Sequence, residues 1–318
     1  MKTEEYIKGI KERDISILGK AITLIESSLE KDKNQAEKLI EKCRPLIKNT
    51  IKIAVSGTPG VGKSTFIEAL GSQLIEKNNR IAILAIDPSS ALSKGSILGD
   101  KTRMHKLSNS KLAFIRPSPN SGTLGGVAHN TKSVITICEA AGFEIIIVET
   151  VGVGQAEFIV KSMTDFFIYL TLIENGDELQ FSKKGILELS DVVLINKADQ
   201  NKKRAKEVAF LLKNSLDNYQ YDKNVFICSA LTGLNIHIIW EHIKNLYIKK
   251  TETGELQKNR KEQDLLWFKK NIKHEIKNLF FKKIKIENIV SNLSENKKKS
   301  PRRQALEIIK KMLKEDEK

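Results

Sequence analysis

Ile51-Lys-Ile-Ala-Val-Ser56 runs directly into Gly57-Thr58-Pro59-Gly60-Val61-Gly62-Lys63-Ser64-Thr65, and the reading of this junction decides the fold. An apolar, β-branched run followed by glycines and then by a helical pattern is a strand, a tight turn and a helix N-terminus. Glycines at this spacing let successive backbone N–H groups point inward at phosphate oxygens, and the helix adds the positive end of its dipole. Lys63 then reaches the β- and γ-phosphates, and the Ser64 hydroxyl is placed to ligate Mg2+. The run has the spacing of a P-loop, so a nucleoside triphosphate is the expected ligand.

The chain around it supports an α/β fold. From about residue 51 to 250, Val/Ile-rich runs alternate with helical patterns: Ile51–Ser56, Ile81–Asp87, Ile145–Glu149, Phe166–Leu172, Asp191–Asn196 and Val225–Ser229. Such alternation implies βαβ units around a mostly parallel sheet flanked by helices, with the ligand at the carboxyl ends of the strands. Three regions are expected: an N-terminal helical extension over 1–48, a P-loop nucleotide-binding domain over 49–250, and C-terminal helices over 251–318. The stretch Ser89 to Ser121 carries Gly, Ser, Pro and Arg without a clear period, as functional loops do.

Base choice is read from Asn196-Lys197-Ala198-Asp199, at the end of the apolar run Val192–Ile195. A carboxylate in the base plane accepts from guanine N1–H and its 2-amino group, a pairing adenine does not offer. Asn196 supplies an amide for the Hoogsteen edge or for bracing the loops, and the Lys197 stem can cover the ring. Further on, Ser229-Ala230-Leu231 ends the next strand, where a backbone N–H can donate to guanine O6. Two base-reading loops in this order point to GTP and GDP.

Glu149-Thr-Val-Gly152-Val-Gly-Gln155 follows another apolar run. An acid at a strand end opposite the P-loop holds Mg2+ or its water shell, and the Gly152 N–H can contact the γ-phosphate. Asp87, in Ile86-Asp87-Pro88, is a second strand-end carboxylate facing the same crevice. Asp87 and Glu149 are candidates to serve the metal or the attacking water, with capping or turn roles as the alternative. Gln155 either orients water or makes loop contacts.

Composition sets the outer limits. At 318 residues and 40% hydrophobic, the chain can bury a full α/β core. Cys43, Cys138 and Cys228 stand at unrelated spacings, which offers neither a disulfide framework nor a zinc pattern. The charged start and the lack of an 18-residue apolar run argue against a signal peptide or membrane span, so a cytoplasmic protein is expected. The net charge of +15 invites a nucleic-acid reading, but much of the excess lies in Phe281–Lys285 and Lys297–Arg303, with little aromatic interleaving. Solvated helix faces account for it better.

Taken together, these motifs resemble the ArgK/MeaB family of P-loop GTPases, whose vertebrate relative is the methylmalonic aciduria type A protein. The likeness rests on Gly57–Thr65, Asp87–Ser90, Gly95–Met104, Phe114–Pro119, Ser121–Gly126, Glu149–Gln155, Gly176–Gln180, Asn196–Asp199 and Ser229–Gly233, with a weaker echo at Arg260–Trp267. The resemblance implies a GTPase that associates with adenosylcobalamin-dependent methylmalonyl-CoA mutase, gates cofactor loading and protects or reactivates that enzyme. It also implies homodimers formed through helical extensions, slow intrinsic turnover, and Lys63, Ser64, Asp87 and Glu149 at the phosphates and Mg2+. Gly95–Met104 and Ser121–Gly126 would be switch-like, with Arg103 either stabilising charge or making a surface contact. Gly176–Lys184 would touch the mutase. There the chain departs from the pattern, with Ile173-Glu174-Asn175-Gly176 as the lead-in and Phe181 where a Gly is usual.

Other classes fit less well. A metal-insertion GTPase calls for a His-rich tract or Cys/His cluster that the sequence lacks. A kinase or ATPase of basic amino-acid transport requires an adenine pocket, which Asp199 opposes. A structural or nucleic-acid adaptor with a silent GTP site is the remaining reading.

Overall fold

Each Val/Ile-rich run becomes a strand of one sheet, because continuous apolar residues are needed where helices cover both faces. The computed structural model describes residues 1–27, 29–86, 104–118, 124–150, 156–173, 184–217, 224–283 and 300–315. The strands are β1 Ile51–Gly57, β2 Ile81–Ile86, β3 Ala113–Ser118, β4 Ile145–Thr150, β5 Phe166–Leu172, β6 Val192–Asn196 and β7 Asn224–Ile227. Their order is β3-β2-β4-β1-β5-β6-β7, and every neighbouring pair is parallel. This is the P-loop α/β architecture that the sequence pattern implies.

The topology decides where a ligand can sit. β1 lies between β4 and β5, and the chain crosses from one side of it to the other, which opens a crevice at the carboxyl ends. Register sets Val55 beside Glu149 and Gly57 beside Leu170, so the P-loop emerges between the ends of β4 and β5.

β3 is the strand that the sequence pattern does not announce. Arg116 and Pro117 interrupt its apolar run, which is tolerated because β3 is at the sheet edge. Arg116 reaches away from the sheet to Glu26 and Thr23.

Helices α1 Thr3–Lys11, α2 Ile15–Glu26 and α3 Glu30–Cys43 pack on one another. They also pack on α6 Leu124–Ala140, one of the sheet-covering helices. Asp14 caps α2 by accepting from the N–H groups of Ser16 and Ile17. After the P-loop, α4 Lys63–Glu76 buries Phe66, Ile67, Leu70 and Leu74, a stripe at helical spacing that faces the sheet. The other helices are α5 His105–Ser108, α7 Ala156–Lys161, α8 Lys184–Leu189, α9 Lys202–Asp217, α10 Ile236–Glu252, α11 Glu255–Lys283 and α12 Pro301–Glu315. Residues Met1–Gln263 form one compact unit and Asp264–Lys318 a second, the division falling within α11.

The start of α11 is fastened to the base of β5. Arg260 Nε and Nη2 donate to the two carboxylate oxygens of Asp165 at 2.8 and 2.7 Å, and Nη2 also donates to the Thr50 carbonyl at 2.6 Å. Asp165 further accepts from the Lys52 N–H at 2.9 Å, and its side chain is wholly inaccessible to solvent. Removing one partner of such a pair leaves a buried charge unmatched. Asp165→Asn is expected to destabilise the first unit by about 2–4 kcal/mol in denaturant unfolding. A change below about 0.5 kcal/mol would mean that the fork carries little of the attachment.

Candidate functional site

The phosphate loop is built around close approaches that only glycine permits. Gly57 adopts φ 152°, and a Cβ there would stand 2.5 Å from the Leu170 carbonyl oxygen. At Gly62, with φ 95°, a Cβ would meet Asn196 Nδ2 at 2.7 Å. Val61 between them is fully buried and pins the loop to the core, while Thr58, Pro59 and Gly60 form its outer bend. Thr65 follows Ser64 in the first turn of α4.

Lys63 folds back over this loop. Its Nζ donates to the Gly57 carbonyl at 2.9 Å and to the Thr58 carbonyl at 3.3 Å. Burial lowers its pKa from the ordinary lysine range, while the carboxylates of Glu149 and Glu157 pull in the opposite direction. The ammonium is therefore held over the loop by two neutral carbonyl acceptors.

Ser64 and Glu149 meet at the same end of the sheet, with Ser64 Oγ donating to Glu149 Oε1 at 3.2 Å. A hydroxyl and a carboxylate side by side form an all-oxygen donor pair, suited to a hard cation such as Mg2+. Among the described residues no group of three or more His, Cys, Asp or Glu could hold a metal ion. Asp87, Gly152, Gln155 and Arg103 lie outside the described residues, as do Gly95–Asp100, Ser121–Thr123 and Gly176–Lys183.

Glu157 is a residue that the sequence pattern left unmarked. It is fully buried on α7 and accepts from Ser56 Oγ at 3.4 Å, behind the P-loop strand. Its charge reaches both Lys63 and Tyr169, whose phenol is pushed up to about 12 by burial and then by Glu157. An acid in the otherwise apolar face Ala156–Val160 was the available signal.

The two segments expected to read the base, Asn196–Asp199 and Ser229–Leu231, are tied to the P-loop by one side chain. Asn196 Nδ2 donates to the Val61 carbonyl at 2.8 Å, and its Oδ1 accepts from the Ala230 N–H at 2.9 Å and the Cys228 thiol at 3.7 Å. Asn196 thus braces both loops at once. Lys197 follows in a left-handed conformation, φ 59°, and the Ala198 N–H is anchored on the Cys228 carbonyl. Asp199 is exposed at the turn that follows.

In the second segment the Ser229 N–H donates to the Leu234 carbonyl, and Ser229 Oγ accepts from the Thr232 N–H. With the Ala230 N–H held by Asn196 and the Thr232 N–H by Ser229, the Leu231 N–H is one amide of this loop with no internal partner among the described residues. Leu231 itself is 80% exposed, which leaves that amide accessible. The three cysteines are free and buried, with burial pushing the Cys43 thiol up to about 11 and Cys228 to about 12. Thiolate chemistry near neutral pH is excluded at these two.

No helix among the described residues is long and apolar enough to cross a membrane. A solved protein described as the LAO/AO transport system kinase superposes with a TM-score of 0.77 at 31% identity, covering 98% of this chain and 97% of that one. The chain is 40% identical over 285 residues to the GTPase ArgK of Escherichia coli (strain K12), covering 87% of this chain and 86% of the relative. It is also 40% identical over 275 residues to the mitochondrial methylmalonic aciduria type A homolog of Mus musculus, covering 81% of this chain and 66% of the relative. The family described as methylmalonyl Co-A mutase-associated GTPase MeaB matches residues 18–285, and with a P-loop, a braced guanine-type loop and an all-parallel sheet in place, the chain belongs to that family of P-loop GTPases.

Proposed function

We propose that this chain is a GTP-driven chaperone of an adenosylcobalamin-dependent methylmalonyl-CoA mutase, gating cofactor loading and protecting or reactivating the enzyme. The observation that carries the partner is the match of the mutase-associated family over residues 18–285. The nucleotide part rests on Asn196, which makes the phosphate loop and the base loop one rigid unit.

In this reading the loop amides and Lys63 hold the phosphates, and Ser64 with Glu149 and Asp87 holds Mg2+. The cation supplies charge neutralisation between the β- and γ-phosphates. Gly152 senses the γ-phosphate and Gln155 orients water. Asp199 accepts from the guanine edge, Lys197 covers the ring and the Leu231 N–H donates to O6. Turnover is slow in the isolated protein because part of the catalytic arrangement is ordered only on the partner. Homodimerisation is supported by Leu265, Phe268, Ile272 and Ile276, all exposed and spaced along one side of α11, where a second copy would cover them.

The likeness to a solved transport system kinase favours a second reading, a transport-associated kinase that uses ATP. One experiment separates the two: turnover of GTP and ATP by the purified protein, with and without the cobalamin-dependent mutase of the same organism. Guanine-selective hydrolysis that rises severalfold with the mutase is the expected result. Equal use of ATP would favour the kinase reading. Guanine selectivity with no complex and no stimulation would remove the mutase while leaving the GTP site in place.

A further inference from the structure

Three helices end at one place, at the amino ends of the strands, opposite the P-loop. α1, α4 and α6 each close with the same pair of backbone bonds: Asp14 N–H to Gly9 O with Arg13 N–H to Ile10 O, Asn79 to Leu74 with Asn78 to Ile75, and Phe143 to Cys138 with Gly142 to Glu139. The residue after each cap is left-handed, at φ 63° for Arg13, 63° for Asn78 and 77° for Gly142. Gly and Asn are the usual occupants of that position, whereas Arg is not. A long cationic side chain thus stands where the backbone disfavours it, and such strained positions cluster at functional sites.

These three residues, with Lys48, Arg80 and Glu144, line a cleft of about 900 Å3. Arg80 and Glu144 directly precede β2 and β4, and Lys48 lies just before β1. A Cβ on Gly142 would stand 3.5 Å from Arg80 Nη1 and 3.6 Å from Arg13 Nε, so two guanidinium groups converge over one glycine. Arg80 is partly engaged: Nη1 donates to the Ala141 and Gly142 carbonyls at 2.7 and 3.3 Å, and the guanidinium lies 4.7 Å from the Phe143 ring centroid. Glu144, the carboxylate of the cleft, accepts from the Arg80 backbone N–H at 2.9 Å. Among the described residues the Arg13 guanidinium and the Lys48 ammonium have no hydrogen-bonding or ion-pair partner.

Helix C-termini carry partial negative charge, so the cations could simply answer three dipoles. Two features weigh against that. The paired backbone bonds already occupy two carbonyls at each helix end, and Arg80 takes two more at the end of α6. Second, the two guanidinium groups converge over Gly142, and the Arg13 charge adds to burial in lowering the Arg80 pKa while the Glu144 carboxylate raises it. Arg13, Lys48 and Arg80 face the single carboxylate of Glu144 in this lining, an excess of positive charge that a bound anion would balance.

We propose that this cleft binds a phosphate-bearing small molecule, held by Arg13, Arg80 and Lys48. Planar forks beside an ammonium suit a phosphate dianion, and the cleft volume is that of small-molecule sites. Leu112 offers apolar surface to an organic group attached to the phosphate, while Phe143 lies buried against the Arg80 guanidinium. The site stands apart from the nucleotide loops and does not depend on the proposed partner.

The test is calorimetric titration of the full chain, with its P-loop saturated by GDP and Mg2+, using inorganic pyrophosphate in one series and AMP in another. About one further equivalent is expected to bind, and the Arg13→Gly/Lys48→Gln double variant should bind it at least tenfold more weakly with GDP affinity unchanged. Gly suits the left-handed position, so the single variant Arg13→Gly should melt no lower than the parent, which separates ligand loss from misfolding. Tighter binding of AMP identifies a phosphate ester as the ligand class, and tighter binding of pyrophosphate identifies free polyphosphate. No second equivalent of either probe, or equal binding by the double variant, overturns the proposal.

Discussion

Lys63→Met is expected to lower GTP turnover by about 10²- to 10³-fold, the usual consequence of removing one preorganised charge from a phosphoryl-transfer site. Methionine keeps most of the aliphatic stem, so the variant isolates the ammonium. The change removes the bonds from Nζ to the Gly57 and Thr58 carbonyls, but the close approach of Gly57 to Leu170 and the Asn196 brace do not involve Nζ, and the loop should survive. Because burial lowers the Lys63 pKa, the charged ammonium costs the nucleotide-free protein some stability. That cost is fully present below the lowered folded-state pKa and fades as pH rises toward the ordinary lysine value. The variant should therefore melt no lower than the parent near neutral pH. Phosphates restore the charged form, so GTP binding takes up a proton in alkaline buffer, and affinity falls as pH rises through the pKa of the free protein. Titration calorimetry in two buffers of different ionisation enthalpy reads that proton. Turnover within about threefold of the parent would mean that Lys63 is not the phosphate ligand.

Much of this site was legible in the sequence because its parts are local. A strand, a glycine turn and a helix start occupy Ile51–Thr65 without interruption, and the turn chemistry permits few other structures. The same holds for Asn196–Asp199 at the end of β6. What was not legible depends on contacts between distant segments. Glu157 acquires its meaning only when α7 lays it behind β1, and Asn196 resolves to a brace only once Val61 and Ala230 are set on either side of it. β3 was hidden for a different reason, since Arg116 and Pro117 follow the needs of an edge rather than the alternation of a core strand. The Arg13 cleft is the extreme case: three helix ends that are far apart in sequence meet there, and each alone is an ordinary cap.

Asp199→Asn is expected to weaken GTP binding by about 10²- to 10⁴-fold while leaving the protein folded. In the proposed binding mode the carboxylate accepts from both N1–H and the 2-amino group of guanine. Asparagine offers one oxygen, and its amide presents a donor to the 2-amino group, so one charge-assisted bond is lost and two donors face each other. Xanthine carries an oxygen in place of that amine. Xanthosine triphosphate should therefore bind the variant better than GTP does, reversing the order of the parent. Asp199 is exposed, and its turn is held by backbone bonds from Ala198 N–H to the Cys228 carbonyl and from Gln200 N–H to the Lys197 carbonyl. The melting temperature should consequently be unchanged, which separates lost recognition from lost structure. The measurement is displacement of a fluorescent guanine nucleotide by GTP, xanthosine triphosphate and ATP in turn. A variant that still prefers GTP, or a parent that binds ATP as well as GTP, would place base recognition outside this loop and favour an ATP-dependent activity instead.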